Sequence, residues 1–307
     1  MGFTILDGKA ISNEIQNNIT DEVITLKKNG VFPKLCVILV GDNPASISYV
    51  NMKHKACEKT GIESCVLRFN SDISQDFLLD EIMKLNNDKS VSGILVQLPL
   101  PKHIDESHIL ESIDIIKDVD GFHFYNVGRL WSDRGIFSDI SQDFSLEDYY
   151  KADLPLLIPA TPLGIMKLLE AYKISPKGKN VAIIGASNIV GKPLSALMLN
   201  AGASVSLCHI LTKDISEFTK NADIVCVGVG VVNLLKCDMI KENAVVIDIG
   251  INKINGKIVG DVDFDAVAKK ASFITPVPGG VGPMTISMLL KNTLSCAKFL
   301  HSKSLKG

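Results

Sequence analysis

From Lys179 onward, "VAIIGAS", "SVSLCHI", "DIVCVGVG" and "AVVIDIGIN" follow one another as short, nearly continuous apolar runs, with helical or loop segments between them. Runs of that kind read as buried strands, and buried strands alternating with helices belong to a parallel sheet covered by its own crossovers. The pattern predicts a Rossmann-like, nucleotide-binding lobe over residues 161–283.

The same alternation runs through the first half of the chain. Ile11, Ile15, Ile19 and Val23 form the apolar stripe of a helix that stops at Asn29-Gly30. "KLCVILVG" reads as a buried strand. "GDNPAS" then offers an N-cap with proline in the first turn, so "ASISYVNMKHKACEKTG" is expected to be a helix closed by Gly61, with Tyr49 and Lys53 on one face. "SCVLRF", "SQDFLLDEIMKLNND" and "VSGILVQLPLP" repeat the strand–helix–strand cycle. Between Ser132 and Leu157 the sequence turns polar, acidic and poorly periodic, which reads as a removable surface insertion, with its aromatics Phe137, Phe144, Tyr149 and Tyr150 leaving open the alternative that it covers a neighbouring surface or a partner subunit. Ile286, Leu289, Leu290 and Leu294 have helical spacing near the C-terminus, and that helix is expected to pack back on the first lobe. The expected architecture is a two-lobed α/β protein: residues 1–160 and 284–307 in one domain, with the insertion at 132–157, and 161–283 in the other.

At 307 residues the chain exceeds what one core usually fills, which suits two lobes. Its formal net charge of -2 and lack of any basic run exclude a phosphate-tracking surface for nucleic acid. The N-terminus has no basic stretch followed by an apolar one, and no apolar run approaches a membrane span, so a cytoplasmic location is expected. Seven cysteines without a C-x-x-C, and histidines without ligand spacing, predict reduced thiols and no metal.

"VAIIGASNIVGKP" is a strand running into a turn with Gly185 and Gly191, then a helix with Pro193 in its first turn. Backbone N–H groups and the positive dipole end converge at such a helix start, where a pyrophosphate fits. The spacing departs from G-x-G-x-x-G, because Ser187 replaces the second glycine and the last arrives one residue late. Alone, the motif leaves a ligand-free βα turn open as a reading; the strands that follow favour a dinucleotide. An NAD site places a carboxylate at the tip of the next strand, and here His209 and Ile210 stand there instead.

Six stretches, "GDNPASISYVNMKHKACEKTGI", "GILVQLPLP", "KDVDGFHFYNVGRL", "GASNIVGKP", "VVIDIGIN" and "TPVPGGVGPMT", occur in this order over nearly the whole chain. Together they resemble the bifunctional methylenetetrahydrofolate dehydrogenase/methenyltetrahydrofolate cyclohydrolase family. Short-chain dehydrogenases also use Tyr-x-x-x-Lys, but after their nucleotide turn, whereas Tyr49 and Lys53 precede it here. The resemblance implies a homodimer with a folate-binding lobe and an NADP-binding lobe, NAD being the less favoured dinucleotide. It implies oxidation of a tetrahydrofolate derivative and then hydrolysis of the product. Lys53 matches the family's catalytic lysine, supported by Tyr49 and Gln97, with Val96 and Leu98 beside the substrate and Asp120 on its pterin. Asp118 is expected to cap a loop. Pro278, Gly279, Gly280, Gly282 and Thr285 match the folate wall. Thr161, Gly185, Ala186, Ser187, Ile189, Val190, Gly191, His209, Ile210 and Ile251 match dinucleotide contacts. Ala186 and Ile210 replace cationic or polar residues frequent in the family, which weakens the expected grip on a 2′-phosphate. A dehydrogenase whose cyclohydrolase has lapsed, and a non-catalytic folate- or dinucleotide-binding regulator, are the alternative readings.

Overall fold

The computed structural model of the chain describes residues 2–135, 144–151 and 154–304. Its strands are β1 (Thr4–Ile5), β2 (Lys34–Val40), β3 (Glu63–Phe69), β4 (Gly93–Val96), β5 (Asn180–Ile184), β6 (Ser204–Cys208), β7 (Ile224–Val227), β8 (Val245–Asp248), β9 (Asn252–Ile254), β10 (Lys257–Val259) and β11 (Phe273–Ile274). Its helices are α1 (Gly8–Lys28), α2 (Pro44–Thr60), α3 (Gln75–Asn87), α4 (Glu106–Glu111), α5 (Phe124–Ser132), α6 (Asp148–Lys151), α7 (Ala160–Ala171), α8 (Gly191–Asn200), α9 (Ser216–Thr219), α10 (Phe264–Val267) and α11 (Val281–Ser304). The chain divides into two compact units, one of residues 1–13, 130–145 and 161–285, the other of 14–129, 146–160 and 286–307.

The first unit holds a six-stranded sheet in the order β1-β11-β8-β7-β5-β6, with every pair parallel. The predicted doubly wound lobe is therefore present. Its core is the apolar inner residues of those strands, among them Ile184, Val225, Val227, Val246 and Ile274. β5 pairs with β6 on one side and β7 on the other, so the chain reverses direction across the sheet at β5. Residues 1–13 fall in this unit, whereas the sequence led us to group them with residues up to 160. The reason is β1: Thr4 and Ile5 extend the sheet edge beside Phe273 and Ile274, and a two-residue strand carries no periodicity to read.

The second unit is built on a parallel sheet in the order β3-β2-β4. Cys36, Ile38, Ile82, Ile94 and Ile109 are buried in its core. Both ends of α2 are set by local chemistry. Asn43 accepts from the N–H groups of Ala45 and Ser46 at 2.9 and 3.2 Å, with Pro44 as the first helical residue. Gly61, at φ 77°, donates back to Cys57 and Glu58. The C-terminal end of α3 is capped by a buried lysine: the Lys117 ammonium donates to the carbonyls of Leu85, Asn86 and Asp88 at 2.8–2.9 Å. No described helix is long and apolar enough to cross a membrane.

The reading of 132–157 as a removable surface insertion needs correction where the structure describes it. Residues 136–143 and 152–153, including Phe137, lie outside the described set. Leu146, Tyr149, Leu156 and Leu157 are buried. The Tyr150 hydroxyl donates to Asn292 Oδ1 at 2.8 Å, and Asn292 Nδ2 donates to the carbonyls of Val119 and Ile158 at 2.8 and 2.9 Å. Single apolar residues scattered among acids dock this segment, so periodicity could not reveal it. Deletion of 133–153 is accordingly expected to destabilise the protein. Tyr150→Phe, which leaves the fully buried Asn292 oxygen without its donor, is expected to cost roughly 1–3 kcal/mol in denaturant unfolding; a loss below about 0.5 kcal/mol would place that hydroxyl outside the core.

Candidate active site

In the second unit, β2 and β4 lie side by side with Ile38 opposite Val96, and Gln97 follows directly, its N–H bonded to Ile38 O at 2.9 Å. α2 follows β2 in sequence and brings Lys53 to the same place. Lys53 Nζ donates to Gln97 Oε1 at 3.0 Å, while Gln97 Nε2 donates to Leu98 O at 2.9 Å. The second bond turns the amide oxygen toward the lysine, so Gln97 acts there as a neutral acceptor. Leu98 precedes Pro99 through a cis peptide, and its carbonyl also accepts from Ser46 Oγ of α2 at 3.5 Å.

Lys53 is only 8% exposed, and Gln97 is its one hydrogen-bond partner among the described residues. Burial holds its ammonium below the usual lysine range, opposed by the charge of Asp120 and then by Cys57. Tyr49 is one helical turn earlier and half-buried, which raises its phenol pKa. It lies on the face of α2 that the sequence predicts, but no hydrogen bond joins it to Lys53 among the described residues.

Asp120 lies in the segment after a bridge between Ile94 and Asp118, which extends the sheet beside β4. Its neighbours are pinned from several directions. Lys117 caps α3, Asn292 holds Val119 O, and the buried Asp118 carboxylate accepts from His123 N, Asn126 Nδ2 and Phe122 N at 2.9, 2.9 and 3.3 Å. Asp118 is thus the loop-capping residue expected. No described residue donates a hydrogen bond to Asp120. Burial pushes its carboxyl up to about 6; the Lys53 charge pulls it down and Asp118 pushes it up further. The pair Lys53–Asp120 therefore consists of a base made less basic and an acid made less acidic.

The dinucleotide residues expected from the sequence lie in the first unit. β5 runs into Gly185, whose N–H bonds Cys208 O at 3.0 Å. A Cβ on Gly191 would stand 1.7 Å from Gly185 O, so the turn closes only with glycine there. Ser187 Oγ accepts from Val190 N at 3.1 Å and Gly191 N at 3.4 Å, and Ser187 O accepts from Lys192 N at 3.0 Å. The residue that breaks the G-x-G-x-x-G pattern thereby caps α8. The backbone N–H groups of Ala186, Ser187, Asn188 and Ile189 have no partner among the described residues, and Lys192 Nζ is held by Asn188 Oδ1 at 2.7 Å.

At the tip of β6, His209 N donates to Thr212 Oγ1 at 3.0 Å, and Leu211 N donates to His209 Nδ1 at 3.2 Å. That contact makes Nδ1 an acceptor and puts the neutral ring's proton on Nε2. Ile210 is 97% exposed, and Lys213 is exposed beyond it. The nearest acid in sequence, Asp214, is engaged with Ser216 N at 2.8 Å. Pro278 follows a cis peptide, Gly279 O accepts from Lys9 N at 2.9 Å, and Gly280 N bonds Pro276 O at 2.9 Å. Thr161 and Thr285, expected at the dinucleotide and the folate respectively, share a hydroxyl contact of 3.0 Å. Gly282 falls in the first turn of α11, and Ile251 follows β8. Two residues of this unit escaped the sequence reading, Asp248 and Asp261; the "DIGIN" and "GDVD" stretches were the available signal. No group of three or more metal-ligating side chains gathers among the described residues.

Residues 6–120 match the tetrahydrofolate dehydrogenase/cyclohydrolase catalytic domain, and residues 159–301 match the tetrahydrofolate dehydrogenase/cyclohydrolase NAD(P)-binding domain. The chain is 57% identical over 298 residues to the bifunctional protein FolD of Helicobacter hepaticus, covering 97% of each. Among solved structures it is similar to the bifunctional FolD methylenetetrahydrofolate dehydrogenase/cyclohydrolase of Campylobacter jejuni, with a TM-score of 0.88 and 54% identity over 96% of this chain and 99% of that one. It is likewise similar to the Trypanosoma brucei methylenetetrahydrofolate dehydrogenase-cyclohydrolase complexed with NADP and an inhibitor, with a TM-score of 0.88 and 34% identity over 100% of both chains.

Proposed function

The chain belongs to the tetrahydrofolate dehydrogenase/cyclohydrolase family, and we propose that it works as a bifunctional enzyme of that kind with Lys53 as its proton shuttle. It oxidises 5,10-methylenetetrahydrofolate to the 5,10-methenyl cation with NADP, then hydrolyses that cation to 10-formyltetrahydrofolate. The observation that carries the assignment of Lys53 is its hydrogen bond to a neutral amide in a buried place.

Hydride loss from the methylene carbon leaves a cation shared by two nitrogens, so this step asks the protein for orientation rather than for a base. A bound dinucleotide supplies the hydride acceptor. The fit for it is the run of free N–H groups at Ala186, Ser187, Asn188 and Ile189 for the diphosphate, with His209 and Lys213 beside the strand tip for the 2′-phosphate. Hydrolysis needs a proton moved. Water adds to the amidinium-like carbon and gives a proton to the Lys53 amine; the ammonium then protonates the ring nitrogen as the C–N bond breaks, and the remaining hydroxyl proton passes to solvent as the formyl C=O forms. An amine acts as base only when unprotonated, and burial together with a cationic substrate favours that form. Gln97 positions the amine without the charge that would hold it as ammonium. Tyr49 lines the same helix face, and the Asp120 carboxylate, open to a partner, is suited to accept adjacent N–H groups of the pterin in a fork. Val96 and Leu98 flank Gln97 at the substrate. A cytoplasmic homodimer is the working state we propose alongside, which sedimentation of the purified protein tests.

The test of the activity is spectrophotometric. Purified protein given methylenetetrahydrofolate and NADP should build up the methenyl absorbance and then consume it. Build-up without consumption would leave a lapsed cyclohydrolase, and no build-up would leave a binding protein. For the dinucleotide, the absence of an acid at the β6 tip favours the 2′-phosphate, yet exposed Ile210 offers it nothing. Ile210→Arg is therefore expected to raise the NADP-over-NAD ratio of kcat/KM by about tenfold, the worth of one exposed bidentate grip. An unchanged ratio would show that position 210 does not face the phosphate.

A further inference from the structure

Two buried carboxylates in the dinucleotide-binding unit have no part in the mechanism above. Asp248 ends β8 and Asp261 follows β10; they are 4% and 0% exposed. Asp261 Oδ2 accepts from Val229 N at 2.6 Å and Gly230 N at 2.9 Å, and its Oδ1 from Asn252 Nδ2 at 2.8 Å. Asp248 Oδ1 accepts from Gly250 N at 2.9 Å and Asp261 N at 3.0 Å, and its Oδ2 from Val262 N at 3.0 Å. No lysine or arginine pairs with either among the described residues. The surrounding backbone is fitted to them. A Cβ on Gly250 would stand 2.3 Å from Asp261 Cγ, and one on Gly260 1.8 Å from Asp248 Oδ2.

Burying two acids side by side without a cation is costly, and only their dense set of N–H donors offsets it. What these donors have in common is place. Val229 and Gly230 follow the carboxyl end of β7, and Gly250 and Asn252 follow that of β8 with Ile251 between them, while Asp261 N and Val262 N tie the two acids' own segments together. In a doubly wound sheet, ligands bind outside the carboxyl ends of the strands, beside the point where strand order reverses, and here that point is β5, the neighbour of β7. The β7 end touches the phosphate turn directly: Val229 Cγ1 lies 3.1 Å from where a Gly185 Cβ would be. Val229, Val231 and Ile251 are 40%, 51% and 50% exposed there, an apolar edge of which the carboxylates hold Val229 directly and Val231 and Ile251 through their neighbours Gly230, Gly250 and Asn252.

We propose that Asp261 and Asp248 are positioning residues for hydride transfer, fixing Val229, Gly230 and Ile251 against the nicotinamide end of the dinucleotide. The proposal rests on the dehydrogenase reading above. It separates the two activities by residue: the carboxylate pair serves only the oxidation, and Lys53, in the other unit, serves the hydrolysis.

The test is Asp261→Asn, which keeps the shape but sets an amide N–H₂ among donors. Dehydrogenase kcat is expected to fall by roughly tenfold to a hundredfold, the usual penalty of a misplaced reacting group. Hydrolysis of supplied methenyltetrahydrofolate, which needs no dinucleotide, should stay within about twofold of wild type. In calorimetric titration NADP should bind more weakly, while adenosine 2′,5′-bisphosphate, which lacks the nicotinamide, should bind as it does to wild type. Equal losses of both activities, or equal weakening for both nucleotides, would overturn the proposal and leave the pair a structural brace. Asn252→Ala removes a single donor to Asp261; should Asp261→Asn not fold, the same split at smaller size is expected from this variant, and its absence is equally decisive. A wild type without dehydrogenase activity would count against the functional reading, and the two nucleotide titrations would still decide the role of the pair.

Discussion

Lys53→Met is expected to abolish methenyl hydrolysis and to leave hydride transfer measurable. Only the hydrolytic step requires a proton to be taken from water and returned to nitrogen, and a thioether does neither. A positioned acid–base group contributes about a hundredfold to ten-thousandfold, so the loss in cyclohydrolase kcat should reach that range. Folding is not at risk. Lys53 is buried with a single hydrogen-bond partner, and methionine fills nearly the same volume without a charge to desolvate. The sign of the pH effect follows from the lowered pKa. Between its folded and unfolded values the unfolded chain binds more protons, so wild-type stability rises with pH through that window, and below it the buried ammonium is a cost. Lys53→Met should therefore unfold at a denaturant midpoint equal to or above that of wild type. Hydrolysis that survives in a folded Lys53→Met protein would remove Lys53 from the mechanism.

Asp120→Asn should exchange folate affinity for stability. Loss of a charged fork to the pterin is expected to weaken folate binding by about 2 kcal/mol or more, with dinucleotide binding little changed. The same carboxyl is raised from 3.8 to about 6 in the folded chain, chiefly by burial. A group raised on folding destabilises the folded state above its folded pKa: the penalty is absent below pH 4, grows between 4 and 6 and is complete above. A rise of that size costs the folded state at most about 3 kcal/mol, so the unliganded variant should be more stable than wild type at pH 8 and no more stable at pH 3.5. A stability difference from wild type that is the same at both pH values would show that Asp120 is not strained by its site, and equal losses of folate and dinucleotide affinity would point to a damaged fold.

What could be read in the sequence was what repeats or caps. The runs at Val181, Ile224 and Val245 announced β5, β7 and β8 because strands buried on both faces carry an unbroken apolar signal, while β6 at the sheet edge showed the weaker alternation of Ser204 to Cys208. Asn43, Pro44 and Gly61 announced both ends of α2, and with them the shared face of Tyr49 and Lys53. β1 carries no signal because it spans two residues; the aromatics of 132–157 hinted that the segment covers another surface, but the partner of Tyr150 could not be read because Asn292 lies 142 positions away in the chain. The centre was legible only through family resemblance. Nothing local in Gln97 says that its oxygen is turned to Lys53; the bond from its N–H₂ to Leu98 O does that. Asp248 and Asp261 show the limit from the other side. In sequence they are acids near glycines, and only the folded chain reveals that they hold the ends of two strands.

Hydrolysis as proposed needs Lys53 as a neutral amine, which burial beside an uncharged acceptor favours. The titration of Lys53 itself tests this most directly, followed by NMR of protein carrying isotope-labelled lysine, with Lys53→Met identifying the resonance and with Gln97→Glu as the comparison. Lys53 is expected to titrate below the ordinary lysine range in wild type and to move upward in Gln97→Glu, with the rising limb of the pH–rate profile for hydrolysis moving with it. A Lys53 that titrates at the ordinary value in both proteins, while hydrolysis keeps its wild-type profile, would contradict that requirement.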